Sequence, residues 1–111
     1  CDFTAYKLDH VKEWLSAFGF DYSEEELKKT GERIWNLTRL FNVREGFTRE
    51  DDKLPERMKK PLKGEGPAAG NSITEEEFQE MLDRYYDLRG WDRDGRPTSE
   101  KISELDLEQW A

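Results

Sequence analysis

Ser23–Met58 reads SEEELKKTGERIWNLTRLFNVREGFTREDDKLPERM, and its first half decides the fold class. Ser23 followed three residues later by Glu26 forms a capping box, in which each side chain satisfies the other residue's backbone N–H. Glu24, Glu25 and Glu26 put negative charge at the positive end of the helix dipole. At about 100° per residue, Leu27, Gly31, Ile34, Leu37, Thr38 and Phe41 share one face of the helix that follows. Lys28, Glu32, Arg33, Asn36 and Arg39 take the opposite face, with Trp35 and Leu40 on the flanks. So broad an apolar stripe predicts a core helix contacted from several directions. Gly31 inside it costs about 1 kcal/mol relative to Ala, so close approach by another backbone is expected there.

The flanking sequence extends the helical pattern. Upstream, Leu8, Val11, Trp14, Leu15 and Phe18 recur at helical spacing and Gly19 suits the exit, which predicts a helix over about Leu8 to Phe18. Downstream, residues 43–73 are interrupted by Pro55, Pro61 and Pro67 and by Gly46, Gly64, Gly66 and Gly70. A loop of that length in a compact domain is either functional or disordered. Its second half, KKPLKGEGPAAGN, has the character of a spacer. Thr74 and Glu77 make another capping box, opening a helix with Phe78, Met81, Leu82, Tyr85 and Leu88 on one face and its stop at Gly90. Asp92, Asp94 and Gly95 mark a turn, and Pro97–Thr98 opens a short last helix to about Leu105. No segment alternates with period two. The expected fold is all-α: a single domain over residues 1–111, a small irregular bundle of about four helices with one long loop at 43–73.

Of the 111 residues, 34% are hydrophobic and 40% charged, so the core must be modest and aromatic rings must supply much of it. The net charge of −8 argues against nucleic acid as a partner, since phosphate binding needs clustered Lys and Arg. One cysteine permits no intrachain disulfide. No signal peptide and no apolar run of membrane-spanning length is visible, so a membrane is not an expected partner and the expected location is the cytoplasm.

Several motifs have ordinary readings. Gly90–Lys101 has a glycine at the sixth position of a calcium loop, but Gly90 and Lys101 stand where carboxylates are needed, so a turn is the better reading. Asn36–Leu37–Thr38 matches a glycosylation sequon inside a helix, where chance explains it. His10 beside Asp9 reads as a solvated surface residue, and no nucleophile–base pair with an orienting partner is visible. Glu50, Asp51, Asp52 and Glu56 intermingle with Arg44, Arg49 and Arg57. Mutual salt bridging at a surface or domain contact is the plain reading of this loop, and shaping access to a site built elsewhere is the sharper one. Cys1 alone reads as a free thiol, because a cubane cluster needs four thiolates and the chain has one.

Three blocks together resemble the end of the tungsten-dependent aldehyde:ferredoxin oxidoreductase family: CDFTAY at the start, SEEELKKTGERIWNLTRLFNVREGFTREDDKLPERM, and EEEFQEMLDRYYDLRGWDRDGRPT. The resemblance runs from Cys1 to about Leu107. It implies an enzyme that oxidises aldehydes to carboxylic acids with ferredoxin as electron acceptor. Such an enzyme carries a tungsten (or molybdenum) bis-pterin beside one [4Fe–4S] cluster. Cys1, followed by Asp2, Phe3 and Thr4, matches the position of the fourth cluster ligand, and no other site residue is carried over. The pterin-contacting segment and the other three cysteines have no counterpart here.

The resemblance therefore implies a C-terminal piece, inactive and without cofactor by itself, whose partners are the remaining domains of the same enzyme and, for the whole enzyme, ferredoxin. Such a piece should expose an apolar patch, through which it could also form a homo-oligomer. The alternative is a stand-alone acidic helical module that binds another protein and carries no cofactor.

Overall fold

The computed structural model describes residues 6–111. Four helices follow in chain order: α1 (Leu8–Ala17), α2 (Glu24–Arg44), α3 (Glu75–Arg89) and α4 (Ser99–Glu104). Among the described residues the only β feature is a bridge between Trp91 and Pro97, so the fold is all-α.

Local chemistry sets the helix ends. The Glu26 backbone N–H donates to Ser23 Oγ (3.2 Å) and the Ser23 N–H donates to Glu26 Oε2 (2.7 Å). Thr74 and Glu77 repeat this exchange at the start of α3, at 3.2 and 2.9 Å. These bonds hold the carboxyls of Glu26 and Glu77 below the usual carboxylate range, first through the backbone N–H. At α1 the Lys7 N–H donates to His10 Nδ1 (3.1 Å), leaving His10 on an exposed helix start. Gly90 ends α3 in the left-handed region at φ 69°, where a side chain would be strained.

The segment after α2 has more local order than its proline and glycine content suggests. α2 continues to Arg44, and short 3₁₀ turns follow at Arg49–Asp51 and Glu56–Lys59. Thr48 caps the first turn, accepting from the Glu50 N–H at 3.3 Å.

The packing of α2 reverses the expectation drawn from its periodicity. Asn36 is fully buried and Arg39 is 7% exposed, whereas Ile34 is 62% and Phe41 53% exposed. Within this chain the polar face of α2 packs inward, and the apolar stripe lies on the surface. Among the described residues nothing lies within 4 Å of a Cβ built on Gly31, so none of them makes the expected close backbone approach. The core that forms is small and aromatic: Leu82, Tyr86 and Trp91, with Phe78 and Tyr85 against them. Leu105 and Leu107 are buried where the chain leaves α4. Arg33 ties α2 to that end, donating from Nε to the Leu105 carbonyl at 2.8 Å.

The molecule is elongated, with extents of 52 × 34 × 21 Å and a radius of gyration of 18.3 Å. A compact chain of this length has a radius of about 13 Å.

Candidate functional site

The most organised part of the molecule is a partly buried polar lattice between α2, α3, the 3₁₀ turn at Arg49–Asp51 and the 91–97 turn. Arg39 is its hub. From the C-terminal third of α2 it donates through Nε to the Gly95 carbonyl (2.6 Å), and through Nη1 and Nη2 to the two oxygens of Asp52 (3.1 and 2.6 Å). Its guanidinium also lies 4.8 Å from the Trp91 ring centroid, within cation–π range. Only arginine combines a planar fork for the carboxylate with a third N–H for the carbonyl.

Tyr86, in the last turns of α3, donates from its hydroxyl to Asp52 Oδ2 at 2.5 Å. Burial, followed by the Asp52 bond and charge, pushes the phenol from 10.0 up to about 12, against the opposing charges of Arg39 and Arg49. One helical turn before Arg39, Asn36 accepts from Trp91 Nε1 (2.8 Å) and donates to the Glu32 carbonyl (2.9 Å). Arg49 reaches from the loop to Gln79 Oε1 (2.7 Å), Asp83 Oδ1 (2.7 Å) and the Arg93 carbonyl (3.0 Å). Among the described residues no buried side-chain nitrogen or oxygen lacks a partner. A fully satisfied lattice in low dielectric is stiff, because each broken bond leaves a costly orphan.

The 91–97 turn is shaped to receive Arg39. The Asp92 Oδ1 atom accepts from the backbone N–H groups of Asp94 (2.9 Å) and Arg96 (2.8 Å). That side chain closes its own turn, as expected of the near-miss calcium pattern. Gly95 has φ 76°, and a Cβ there would overlap Arg39 Nη2 and sit 2.8 Å from the Tyr86 ring. The position therefore requires glycine both for its conformation and for space.

A cleft of about 200 Å³ opens over this lattice, walled by Trp35, Tyr85 and Trp91, with Arg39 and Asp52 at its base. Trp35 Nε1 donates to the Tyr85 hydroxyl at 2.8 Å on its rim. A larger hollow of about 430 Å³, near Ile73 and Met81, is shallow. Its Glu77 is committed to the α3 cap. At the base of the smaller cleft Asp52 accepts from Arg39 on both oxygens and Tyr86 donates to it, so these groups hold one another in place. The chemistry of the lattice is that of a brace.

The residues singled out in the sequence fare differently. Asp52 and Arg49 leave the charged loop and turn inward, joining it to α2 and α3, while Arg57 remains exposed. Asn36 of the sequon is buried against Trp91, which leaves no room for a glycan. Cys1 lies outside the described residues. Among the described residues, no three His, Cys, Asp or Glu side chains are gathered to hold a metal ion. No described helix is long and apolar enough to cross a membrane. Periodicity missed Asn36, Arg39, Tyr86 and Trp91 as one group. The available signal was the composition: so few apolar residues leave a core that must recruit polar and aromatic side chains.

Comparison with known proteins gives this arrangement a context. The chain is 44% identical over 114 aligned residues to a tungsten-containing aldehyde ferredoxin oxidoreductase of Pyrococcus abyssi, an alignment covering 99% of this chain and 18% of the relative. A protein of the same name from Pyrococcus horikoshii is 42% identical over the same shares. The chain thus spans about a fifth of the length of the relatives it matches. Among solved structures, the active site complex BamBC of benzoyl coenzyme A reductase with 1,5-dienoyl-CoA has a chain that superposes with a TM-score of 0.75. That likeness, at 31% identity, covers 95% of this chain and 14% of the other. The family model described as aldehyde ferredoxin oxidoreductase, domains 2 and 3, matches residues 1–107, and the chain belongs to that family.

Proposed function

We propose that this chain forms the C-terminal part of an enzyme that oxidises aldehydes to carboxylic acids and passes the electrons to ferredoxin. The observation that carries the proposal is the 44% identity, over 99% of the chain, to a protein named for that activity. In the net reaction an aldehyde and water yield a carboxylic acid, two protons and two electrons. Oxidation and oxygen transfer belong to the tungsten (or molybdenum) bis-pterin carried by such an enzyme. No reacting group is assigned to the described residues. Their role is to brace one side of the site, with the Arg39 lattice fixing the loop after α2 against the 91–97 turn.

Cys1 is assigned one thiolate of a [4Fe–4S] cluster. A cubane takes four cysteines, so the other three must lie outside this chain. A second reading, reduction of a coenzyme A thioester, is favoured by the 31% identical structural relative with bound dienoyl-CoA. The aldehyde reading ranks first on its higher identity.

The test uses the polypeptide that carries this chain, purified without oxygen. Wild-type protein should reduce an oxidised viologen dye with aldehydes and should not oxidise the reduced dye with an aryl-CoA ester. Failure of both assays refutes the oxidoreductase reading. Cys1→Ser should lower iron and sulfide per chain, and unchanged content overturns the ligand assignment.

A further inference from the structure

The apolar stripe of α2 runs along a helix of 21 residues, about 31 Å at 1.5 Å per residue. Ile34, Leu37 and Phe41 stand along it at 62%, 38% and 53% exposure. The opposite face carries the lattice at Asn36 and Arg39, while the apolar side is bare at Ile34, Leu37 and Phe41. Bare apolar surface is not confined to α2: Phe18 after α1, Leu88 on α3 and Leu62 in the loop are 81%, 76% and 58% exposed. The total accessible surface is 9114 Å². A folded monomer of 13.2 kDa exposes about 6,400 Å², so the excess is about 2,700 Å². That is several times the roughly 800 Å² that each partner buries in a standard interface.

We propose that the Ile34–Leu37–Phe41 face of α2 is a permanent interdomain contact, seated in an apolar surface of the preceding part of the same family polypeptide. This deepens the reading given above and rests on it. Three observations select this occupant over a second copy of the chain. The relatives are about five times longer, so most of a family polypeptide is available to cover the face. The excess area is spread over α1, α2, α3 and the loop, whereas a two-fold contact between small chains covers one patch. Each chain also carries a net charge of −8, which opposes self-association and suits a receiving surface with a neutral or basic rim. Gly31 fits the same account: no described residue lies above it, so a facing backbone can approach α2 there.

The test is carbene footprinting of the polypeptide that carries this chain, read residue by residue by mass spectrometry over a dilution series. Tyr86, 1% exposed, serves as the buried standard within the same molecule. The expected result is that Ile34, Leu37 and Phe41 label as weakly as Tyr86 at every dilution. For Ile34, passing from 62% exposure to the 1% of Tyr86 is about a sixtyfold loss of labelling. Labelling in proportion to the exposures above, with Tyr86 still protected, overturns the proposal. Protection that disappears on dilution also overturns it, because the occupant is then a second copy. The two readings fail separately. A protected face without aldehyde oxidation refutes the enzyme reading alone, and an active enzyme with a freely labelled face refutes the contact alone.

Discussion

Replacing Arg39 by methionine isolates the lattice. Methionine keeps much of the stem's packing while removing the charge and every N–H. Removing one member of a fully buried ion pair costs about 3–5 kcal/mol. Here the Arg39 side chain is 8% exposed but Asp52 is 30% exposed. Water can therefore recover one side of the carboxylate, and the pair loss falls to about 2 kcal/mol. The Gly95 carbonyl loses its charged donor at 2.6 Å, for about 1 kcal/mol more. The contact with the Trp91 ring adds about 1 kcal/mol. These contributions overlap because they share one side chain, so the net cost is about 3 kcal/mol. Urea unfolding followed by far-ultraviolet circular dichroism should show it as a midpoint lowered by about 1.5 M, taking a slope of about 2 kcal/mol per molar. In the Arg39→Met background, Asp52→Asn should cost little more, with a coupling of about 2 kcal/mol between the sites. A midpoint for Arg39→Met within about 0.3 M of the parent, outside the usual scatter of such fits, would refute the brace.

Further outcomes follow from the same geometry. Ile34→Ser, at a 62% exposed position, should change the stability of the 111-residue chain by less than about 0.5 kcal/mol, the usual range for surface sites. A cost above 2 kcal/mol in that chain would mean the apolar face is packed internally. Gly95→Ala should destabilise by roughly 2–4 kcal/mol, from the left-handed backbone together with overlap on Arg39 and Tyr86. A neutral result would show that the 91–97 turn moves freely. Tyr86 has its phenol raised from 10.0 to about 12, so the folded state holds its proton more tightly than the unfolded chain. Its contribution is complete below pH 10 and falls as pH rises towards 12, by up to about 2 kcal/mol at roughly 1.4 kcal/mol per pH unit. Tyr86→Phe should remove that alkaline slope, and an unchanged slope in the variant would place its origin elsewhere.

Much of the secondary structure was legible because it is written in local chemistry. The Ser23–Glu26 and Thr74–Glu77 boxes and the Gly90 stop need nothing beyond neighbouring residues, and each stands where its motif places it. The two 3₁₀ turns were hidden because proline and glycine mark interruption without naming what fills the gap. The lattice was hidden for another reason. Asn36 and Arg39 are polar, and a periodicity argument assigns polar side chains to water. Nothing local to α2 announces that Gly95 and Asp52, 56 and 13 residues away from Arg39, will meet it.

The helical period of α2 holds, but its apolar stripe does not mark the inside of this chain. An amphipathic helix in a lone domain turns its apolar stripe to the only core available. In α2 the nearer core, Leu82–Tyr86–Trp91, is contacted by the polar face. That choice is stable only if the hydrogen bonds there are complete, and they are. A strict polar lattice on one side sets the rotation of α2 about its own axis. With that rotation fixed, Ile34, Leu37 and Phe41 must point away from the chain. The buried arginine and the bare phenylalanine are therefore one fact. If Arg39→Met lets α2 turn, the face that labels with carbene will turn with it, and a variant that loses the lattice yet keeps the same footprint would break that link.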